Sequence, residues 1–213
     1  MNNVFCERFP AYEVTRKQLF CRLADPCRQE DGCRGVLSRP WLDLRICCYY
    51  DMKEEGLPGA ALTIYENCLS LWHVTAERVL EDAWRNTTER KTVFRPLDKV
   101  LYELHETMEW MDLTEIRNEA SLYVLTNSDR MNGAVYMAVP GVMNRIAKEL
   151  DADFYILPSS IHECLILPDT GLQDDDWLNH LVSFVNRECV PEEEILTDHV
   201  YFYDRMLQHV RPC

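Results

Sequence analysis

The sequence predicts an α+β protein with a mixed, mainly antiparallel sheet and helices packed on it. Three observations support this class. Short apolar or alternating segments typical of strands recur along the 213 residues. Amphipathic segments with a helical period lie between them. Turn residues separate many neighbouring strands, so these strands would pair locally as hairpins, which favours α+β over alternating parallel units.

The first half of the chain predicts three strands followed by a helix. The predicted elements are strands Lys17–Asp25, Trp41–Asp51 and Ala60–Tyr65, a loop or short helix at 26–40, and a helix at Thr75–Thr87. The second and third strands would pair antiparallel as a hairpin. Thr75 is a suitable N-cap, and Val79, Leu80, Ala83 and Trp84 form the apolar stripe of the helix.

The second half predicts strands interspersed with three helices. The predicted elements are a helix at Leu97–Met111, strands Ser121–Asn127 and Ala134–Val139, a helix from Pro140 to Leu150, strands Phe154–Leu157 and Ile161–Leu167, a helix at 173–189 and a strand at Val200–Tyr203. The inward stripe of the last helix is predicted from side chains four residues apart: Trp177, Leu181, Val185 and Cys189, with Leu178 and Val182 beside them.

The predicted organisation is an N-terminal extension at 1–14 and a single α+β domain at 15–213, with a division into two lobes near 112–120. No apolar run approaches the roughly 20 residues of a membrane span. The first residues lack a basic region followed by an apolar stretch, so no secretory signal is visible. We therefore expect a cytoplasmic protein without membrane contact.

The net charge of −14 is unevenly distributed. Residues 1–50 carry a net charge of +2, whereas residues 151–213 carry −10. An acidic surface repels phosphate backbones, so we expect no direct nucleic-acid binding. The acids either keep the surface solvated or form a face for a basic protein partner. The candidate partner-binding acids are Asp174, Asp175, Asp176, Glu192, Glu193 and Glu194.

Ten cysteines are many for this length, but a disulfide framework is typical of small exported chains. We expect all ten to be reduced, with Cys47, Cys48, Cys68 and Cys164 buried in apolar segments. A zinc site from Cys21, Cys27 and Cys33 is disfavoured because five residues separate each pair. No phosphate-binding glycine loop is present, so the sequence predicts neither a metal nor a cofactor.

The turn Pro158–Glu163 carries the strongest catalytic candidates, Ser160 as nucleophile and His162 as base, with Asp198 or Glu163 orienting the base. Two residues apart on one strand, Ser160 and His162 would be about 6.7 Å apart, too far for a nucleophile–base hydrogen bond. The alternative is a structural turn in which His162 bonds a backbone group.

Five blocks of sequence resemble an uncharacterised family, common in gut Firmicutes, known only as a domain of unknown function. The resembling blocks are RPWLDLRICCYY at 39–50, LTIYENCLSLWHVTAERVLEDAWRNT at 62–87, SLYVLTNSDRMNGAVYM at 121–137, DFYILPSSIHECLILPD at 153–169 and FVNRECVPEEEILTDHVYFYDR at 184–205. The resemblance implies a bacterial cytosolic protein and assigns no catalytic or binding residue. Relatives tend to be longer at the N-terminus, which implies a short or truncated form here.

Three functional hypotheses follow. The first is a non-enzymatic intracellular accessory protein that binds another protein. The second is an acidic inhibitor that mimics nucleic acid and blocks a basic cleft, for example in a bacterial defence complex. The third is a small hydrolase centred on Ser160 and His162. Acids clustered on one face would favour the inhibitor. A cleft joining Ser160, His162 and Asp198 would favour the hydrolase, and an exposed apolar patch would favour the interaction protein.

Overall fold

A computed structural model describes residues 11–28, 33–104 and 122–213. The chain forms two compact units, Met1–Lys91 and Thr92–Cys213. Each unit contains an open sheet with helices, so the predicted α+β class is confirmed. Every strand pairing in the described ranges is antiparallel. The lobe division predicted near 112–120 lies outside the described residues.

The first unit is organised around one long strand, β3. The strands are β1 (Leu19–Ala24), β2 (Ser38–Trp41), β3 (Leu44–Asp51) and β4 (Ala61–Thr63). β1 pairs along one side of β3, while β2 and β4 pair with β3 along different stretches. The predicted β3–β4 hairpin is confirmed by the pairing of Tyr49 with Thr63. Residues 38–40 of β2 were predicted as part of a loop or short helix, because turn residues are frequent in 26–40. Pro40 is tolerated here because β2 is an edge strand.

Side chains of a helix satisfy backbone groups of the edge strand β1. The helices of this unit are α1 (Tyr12–Thr15), α2 (Asn67–Trp72) and α3 (Ala76–Glu89), with 3-10 turns at Arg16–Gln18 and Lys53–Glu55. Thr75 accepts a backbone hydrogen bond at 3.3 Å, as expected of an N-cap. The Thr87 hydroxyl accepts from the Cys21 amide at 2.8 Å, and the Asn86 amide donates to the Leu19 carbonyl at 2.8 Å. These bonds protect the edge of β1 against further pairing.

The second unit is a six-stranded antiparallel sheet with helical segments on both faces. Its strands, β5 (Thr92–Pro96), β6 (Tyr123–Asn127), β7 (Phe154–Pro158), β8 (Cys164–Pro168), β9 (Tyr201–Asp204) and β10 (His209–Pro212), lie in the order β10-β9-β7-β8-β6-β5. Its helices are α4 (Leu97–Leu104), α5 (Pro140–Leu150) and α6 (Asp175–Cys189), with 3-10 helices at Gly133–Ala138 and Glu192–Glu194. None of the helices in the described ranges is long and apolar enough to span a bilayer.

Alternating side chains of β7 divide the core of this unit. Tyr155 and Leu157 pack with Leu178 and Val182 of α6. On β8, the Cys164 sulfur contacts Met137 of the 3-10 helix at 3.7 Å. The sheet is therefore buried on both faces, which explains why its central strands are almost continuously apolar.

The strand predicted at Ala134–Val139 is wrong, because this segment forms the 3-10 helix Gly133–Ala138. All six residues of this helix are buried. An apolar run that is buried on every side has no amphipathic period, so its sequence cannot distinguish a strand from a helix. The following helix begins at Pro140 and ends at Leu150, as predicted.

The stripe predicted for the last helix is displaced by one residue. Leu178 and Val182, which belonged to the predicted stripe, are buried as expected, and Asn186 is the third buried side chain of α6. Trp177 and Cys189, predicted to face inward, are exposed. The predicted row and the buried row both contain residues four apart, so spacing alone does not distinguish them. The buried row also includes a polar side chain, that of Asn186, which the apolar pattern did not predict.

Cys68 is disulfide-bonded, so the prediction of ten reduced cysteines is wrong at this position. Spacing along the sequence cannot show which thiols a fold brings together. The cysteines Cys21, Cys27, Cys33, Cys47, Cys48, Cys164, Cys189 and Cys213 are free. Cys47, Cys48, Cys68 and Cys164 are buried, as predicted. Burial raises the pKa of Cys47 to about 12, as expected of a thiol with the role of a small apolar side chain.

Candidate functional site

The connection between β7 and β8 is a tight turn held by its own side chains. The Ser160 hydroxyl accepts from the His162 amide at 3.0 Å. The Ser160 amide donates to the Glu163 carbonyl at 3.3 Å, and the Ser159 hydroxyl lies 3.4 Å from the same oxygen. Serine hydroxyls commonly stabilise turns in this way. The Ser160 oxygen therefore serves the local backbone.

His162 fastens this turn to the loop after β6. Its Nδ1 accepts from the Asn132 amide at 3.1 Å. Its carbonyl accepts from the Gly133 amide at 2.9 Å and from the Thr126 hydroxyl at 2.8 Å. Its Nε2 lies 3.6 Å from a carboxylate oxygen of Glu194. The ring therefore bridges two loops.

Gly133 permits the close approach of the two segments that His162 joins. A Cβ atom at this position would lie 2.4 Å from the Thr126 hydroxyl and 2.6 Å from the His162 carbonyl oxygen. Both distances are far below van der Waals contact. Asn132 precedes it with a φ of 56°, a conformation that asparagine tolerates better than most residues. The close approach therefore requires glycine at 133, and asparagine at 132 suits the left-handed backbone beside it.

Glu163 is the titratable group of the turn with the most altered environment. Burial raises the pKa of its carboxyl, while the Ser159 hydroxyl and the nearby Arg130 and His162 oppose the rise. Arg130 has a φ of 54°, so the loop that approaches Glu163 contains two residues in the left-handed region. Altered pKa values and unusual backbone conformations are both found at functional sites and at structural junctions.

Asp198 and its neighbours connect the approach to β9 with α6. The Asn186 side-chain amide donates to an Asp198 carboxylate oxygen and to the Thr197 carbonyl, both at 2.9 Å. The Thr197 hydroxyl lies 2.8 Å from His199 Nδ1. The described bonds thus join Ser160, His162 and Asp198 to separate partners. The catalytic assignment of these three residues remains a prediction.

The six candidate acids differ in their surroundings. Asp174 caps α6 by accepting from the Trp177 amide at 2.8 Å, and Asp175 accepts from the Tyr155 hydroxyl at 2.8 Å. The Glu194 carbonyl accepts from the Ile161 amide at 2.8 Å, and its carboxylate is the one near His162. The remaining three acids are exposed side chains, two of them just beyond the C-terminal end of α6: Asp176, Glu192 and Glu193.

The outward face of α6 carries two exposed aromatic rings that the sequence analysis did not identify. Trp177 is 48% exposed and Phe184 is 54% exposed. They are seven residues apart, so they lie within about 20° of each other around the helix axis and about 10 Å apart along it. Exposed His180 lies between them on this face. The seven-residue spacing was available in the sequence, but Trp177 had been assigned to the core.

Comparison with protein families then places the chain. A family model described as "Family of unknown function (DUF5688)" matches residues 1–205. The chain belongs to this family. The predicted resemblance to an uncharacterised family is therefore confirmed. Searches of curated proteins and of solved structures found no match.

For this DUF5688 member, the function must be argued from its own side chains. Within the described ranges, no group of three or more His, Cys, Asp or Glu residues has a geometry that could hold a metal ion. Two features remain as candidates in the second unit. One is the turn around His162, and the other is the aromatic face of α6.

Proposed function

We propose that this DUF5688 protein is a non-enzymatic, intracellular accessory protein that binds a protein partner through the outward face of α6. The observation that carries the proposal is the pair of exposed rings, Trp177 and Phe184, on the face opposite the buried row of the helix. Exposed aromatic side chains are enriched in the centres of protein interfaces, where they contribute most of the affinity. Packing within the second unit does not account for these two rings, since each is about half exposed.

Charge supports one kind of occupant, a cationic amphipathic segment of another protein. The second unit contains nine Arg and Lys residues against 22 Asp and Glu residues, a net charge of −13. Exposed acids lie at both ends of α6, with Asp176 at its start and Glu192 and Glu193 after its end. Apolar side chains of the partner would cover the two rings while its Arg and Lys side chains meet these acids.

Arg187 gives the aromatic face a local polar border. Its guanidinium lies 5.6 Å from the centre of the Phe184 ring and pairs with Glu188 at 2.8 Å. Both charged side chains are well exposed, so the pair contributes little to stability. An apolar centre with a charged rim is the usual arrangement of a protein interface.

The test combines identification of the partner with a matched pair of surface variants. The tagged chain is purified from its native host, and copurifying proteins are identified by mass spectrometry. The double variant Trp177→Ala/Phe184→Ala should lose the partner. The control is Met206→Ala/Leu207→Ala, which removes two side chains that are 84% and 74% exposed at the β9–β10 turn. This control should retain the partner.

Binding of the purified partner then separates the three hypotheses. Loss of Trp177 should weaken binding at least about tenfold if the ring is an interface anchor. Replacing Glu192, Glu193 and Glu194 with Gln should slow association and flatten its salt dependence. A nucleic-acid mimic would depend on the acids and be indifferent to Trp177. Turnover of ester, amide or phosphate substrates that is lost in Ser160→Ala or His162→Ala would favour the hydrolase.

Self-association is a separate outcome, measured by analytical ultracentrifugation. If the wild-type chain dimerises and the Trp177→Ala/Phe184→Ala variant is monomeric, the face is covered by a second copy. That result would contradict the proposed cationic partner.

A further inference from the structure

One buried carboxylate in the first unit draws three arginines to a single point. Asp82 is 1% exposed. Arg78 Nε lies 3.1 Å from its Oδ2, while Arg85 Nη1 and Arg16 Nη1 lie 3.0 Å and 3.9 Å from its Oδ1. The Tyr12 hydroxyl donates to Oδ2 at 2.9 Å. A buried carboxylate requires such partners, because desolvation of an uncompensated charge is costly.

The sequence builds this cluster from two segments. Arg78, Asp82 and Arg85 follow the i, i+4, i+7 spacing, which places them on one face of α3. Tyr12 belongs to α1, and Arg16 begins the 3-10 turn that follows it. Arg78 Nε donates a hydrogen bond to the carboxylate, whereas Arg85 and Arg16 are held near its Oδ1 as ion pairs. Asp82 therefore gathers guanidinium groups from both segments in advance of any ligand.

Donors remain on these guanidinium groups beyond those that face Asp82. Each guanidinium has five N–H donors. The side chains of Arg78 and Arg85 are both 50% exposed, and that of Arg16 is 30% exposed. Glu13 accepts from Arg16 Nε at 2.8 Å, so Arg16 has the fewest donors left. Arg78 and Arg85 are the principal candidates for an external contact.

Nearby charges determine what this surface can attract. Three cations face Asp82 and Glu13, and exposed Glu81 lies three residues after Arg78 and four before Arg85 on the helix surface, so no excess of positive charge remains. Exposed Glu89 follows Arg85 by four residues on the same helical face. An anion that binds here must therefore exploit the direction of the guanidinium donors, since long-range attraction is weak.

We propose that Arg78 and Arg85, with Arg16 beside them, bind a doubly charged phosphate group, either free or as a monoester. Paired guanidinium forks match the oxygens of a phosphate, and their orientation by Asp82 reduces the ordering cost of binding. This site is independent of the aromatic face of α6, because its residues all belong to the first unit.

The test uses the full chain with inorganic phosphate and, separately, glycerol 1-phosphate as the monoester. Isothermal titration calorimetry is performed with sodium chloride at matched ionic strength, so that general screening is held constant. We expect saturable binding, weakened about tenfold by Arg85→Gln and by Arg78→Gln, since each removes a charge-assisted contact. Arg187→Gln is the matched control, an exposed helical arginine of the second unit, and should bind as the wild type does.

Variant folding is checked by circular dichroism and thermal unfolding before the titrations. Arg85→Lys retains the charge but not the fork, so it should bind more weakly than the wild type and more tightly than Arg85→Gln. The proposal is overturned if neither phosphate compound binds saturably, or if folded Arg78→Gln and Arg85→Gln bind as tightly as the wild type. If the monoester binds more tightly than inorganic phosphate, the site is assigned to a phosphorylated small molecule. If the two bind equally, the site is assigned to inorganic phosphate.

Discussion

The two units differ in their balance of charged residues. The first unit contains thirteen Arg and Lys residues and fourteen Asp and Glu residues, whereas the second contains nine Arg and Lys residues and 22 Asp and Glu residues. The first unit uses charge inside its fold, because Asp82 is buried among arginines and Arg90 pairs with Asp51 where both are largely covered. The buried polar side chains described in the second unit are all uncharged: Thr126, Asn127, Asn132, Ser160, Asn186 and Thr197.

This difference follows from the number of basic side chains that each unit has to neutralise a buried acid. A buried carboxylate needs a cation or several donors, and arginine provides both. With more than two acids for every base, the second unit joins its loops through amides and hydroxyls, and many of its acids lie at the surface. We therefore expect stability in the second unit to be most sensitive to substitutions at uncharged loop junctions. In the first unit, we expect it to be most sensitive to substitution of a buried charged residue.

The largest expected effect is at the neutral junction of the second unit. Gly133→Ala should lower the free energy of unfolding by about 3 kcal/mol, because the added Cβ would collide with backbone atoms of Thr126 and His162. Gly141→Ala is the control, since its Cβ would meet no atom within 4 Å. Urea unfolding measures both. Equal stability of the two variants would contradict the described junction.

The next effect tests the buried charge of the first unit. Asp82→Asn should cost about 2 kcal/mol, because the arginines lose their shared carboxylate and the Tyr12 hydroxyl loses a charged acceptor. The cost falls short of that of a fully buried ion pair, since these arginines can turn to water. Glu81→Gln, exposed on the same helix, should change stability by less than about 0.5 kcal/mol. A loss that small for Asp82→Asn would show that the buried charge is not essential.

A smaller loss is expected when the bridge made by His162 is removed. His162→Ala leaves the amide of Asn132, a residue that is 4% exposed, without its acceptor, at a cost of about 1 kcal/mol. His180→Ala, at an exposed position of α6, should be close to neutral. Chemical denaturation of both variants at neutral pH distinguishes them. The bridging role is refuted if the two histidine variants have the same stability.

The smallest effect concerns the proton on Glu163. Because the fold raises the pKa of this carboxyl, the native state holds the proton more tightly than the unfolded state does. The resulting stabilisation is complete below the ordinary glutamate pKa and is lost as pH rises through the raised value. Glu163→Gln should remove this loss, so its stability relative to the wild type should increase from pH 4 to pH 7. Exposed Glu192→Gln should show no such trend in unfolding midpoints.

Some elements were predictable because local chemistry alone specifies them. Helix α5 begins at Pro140 and ends at Leu150 as predicted, with Val142, Met143, Ile146 and Ala147 buried. Its proline is favourable in the first helical turn, and its apolar period is unambiguous. The N-cap at Thr75 was predictable for a similar reason, since its hydroxyl serves an amide one turn away.

The candidate site was less predictable because its parts are distant in sequence. His162 was expected to bond a backbone group, but not the amide of Asn132, thirty residues earlier. Trp177 was assigned to the core because it begins a row of residues four apart in the sequence. Leu178 begins another such row, and the spacing alone does not show which of the two rows is buried. Asp82 had no sequence signal for burial, since an acid on a helix is usually exposed.

The sequence by itself determined the α+β class, the family, the hairpin of β3 with β4 and the excess of acids in the second half of the chain. These depend on local periods, turn residues and composition, which are properties of contiguous segments. Tertiary structure decided that residues 133–138 form a 3-10 helix, that Cys68 is in a disulfide, which face of α6 is buried, and that three arginines surround Asp82. Each of those outcomes depends on which segments, distant in sequence, pack against one another, because neighbours in space determine both the burial of a side chain and its charged partners.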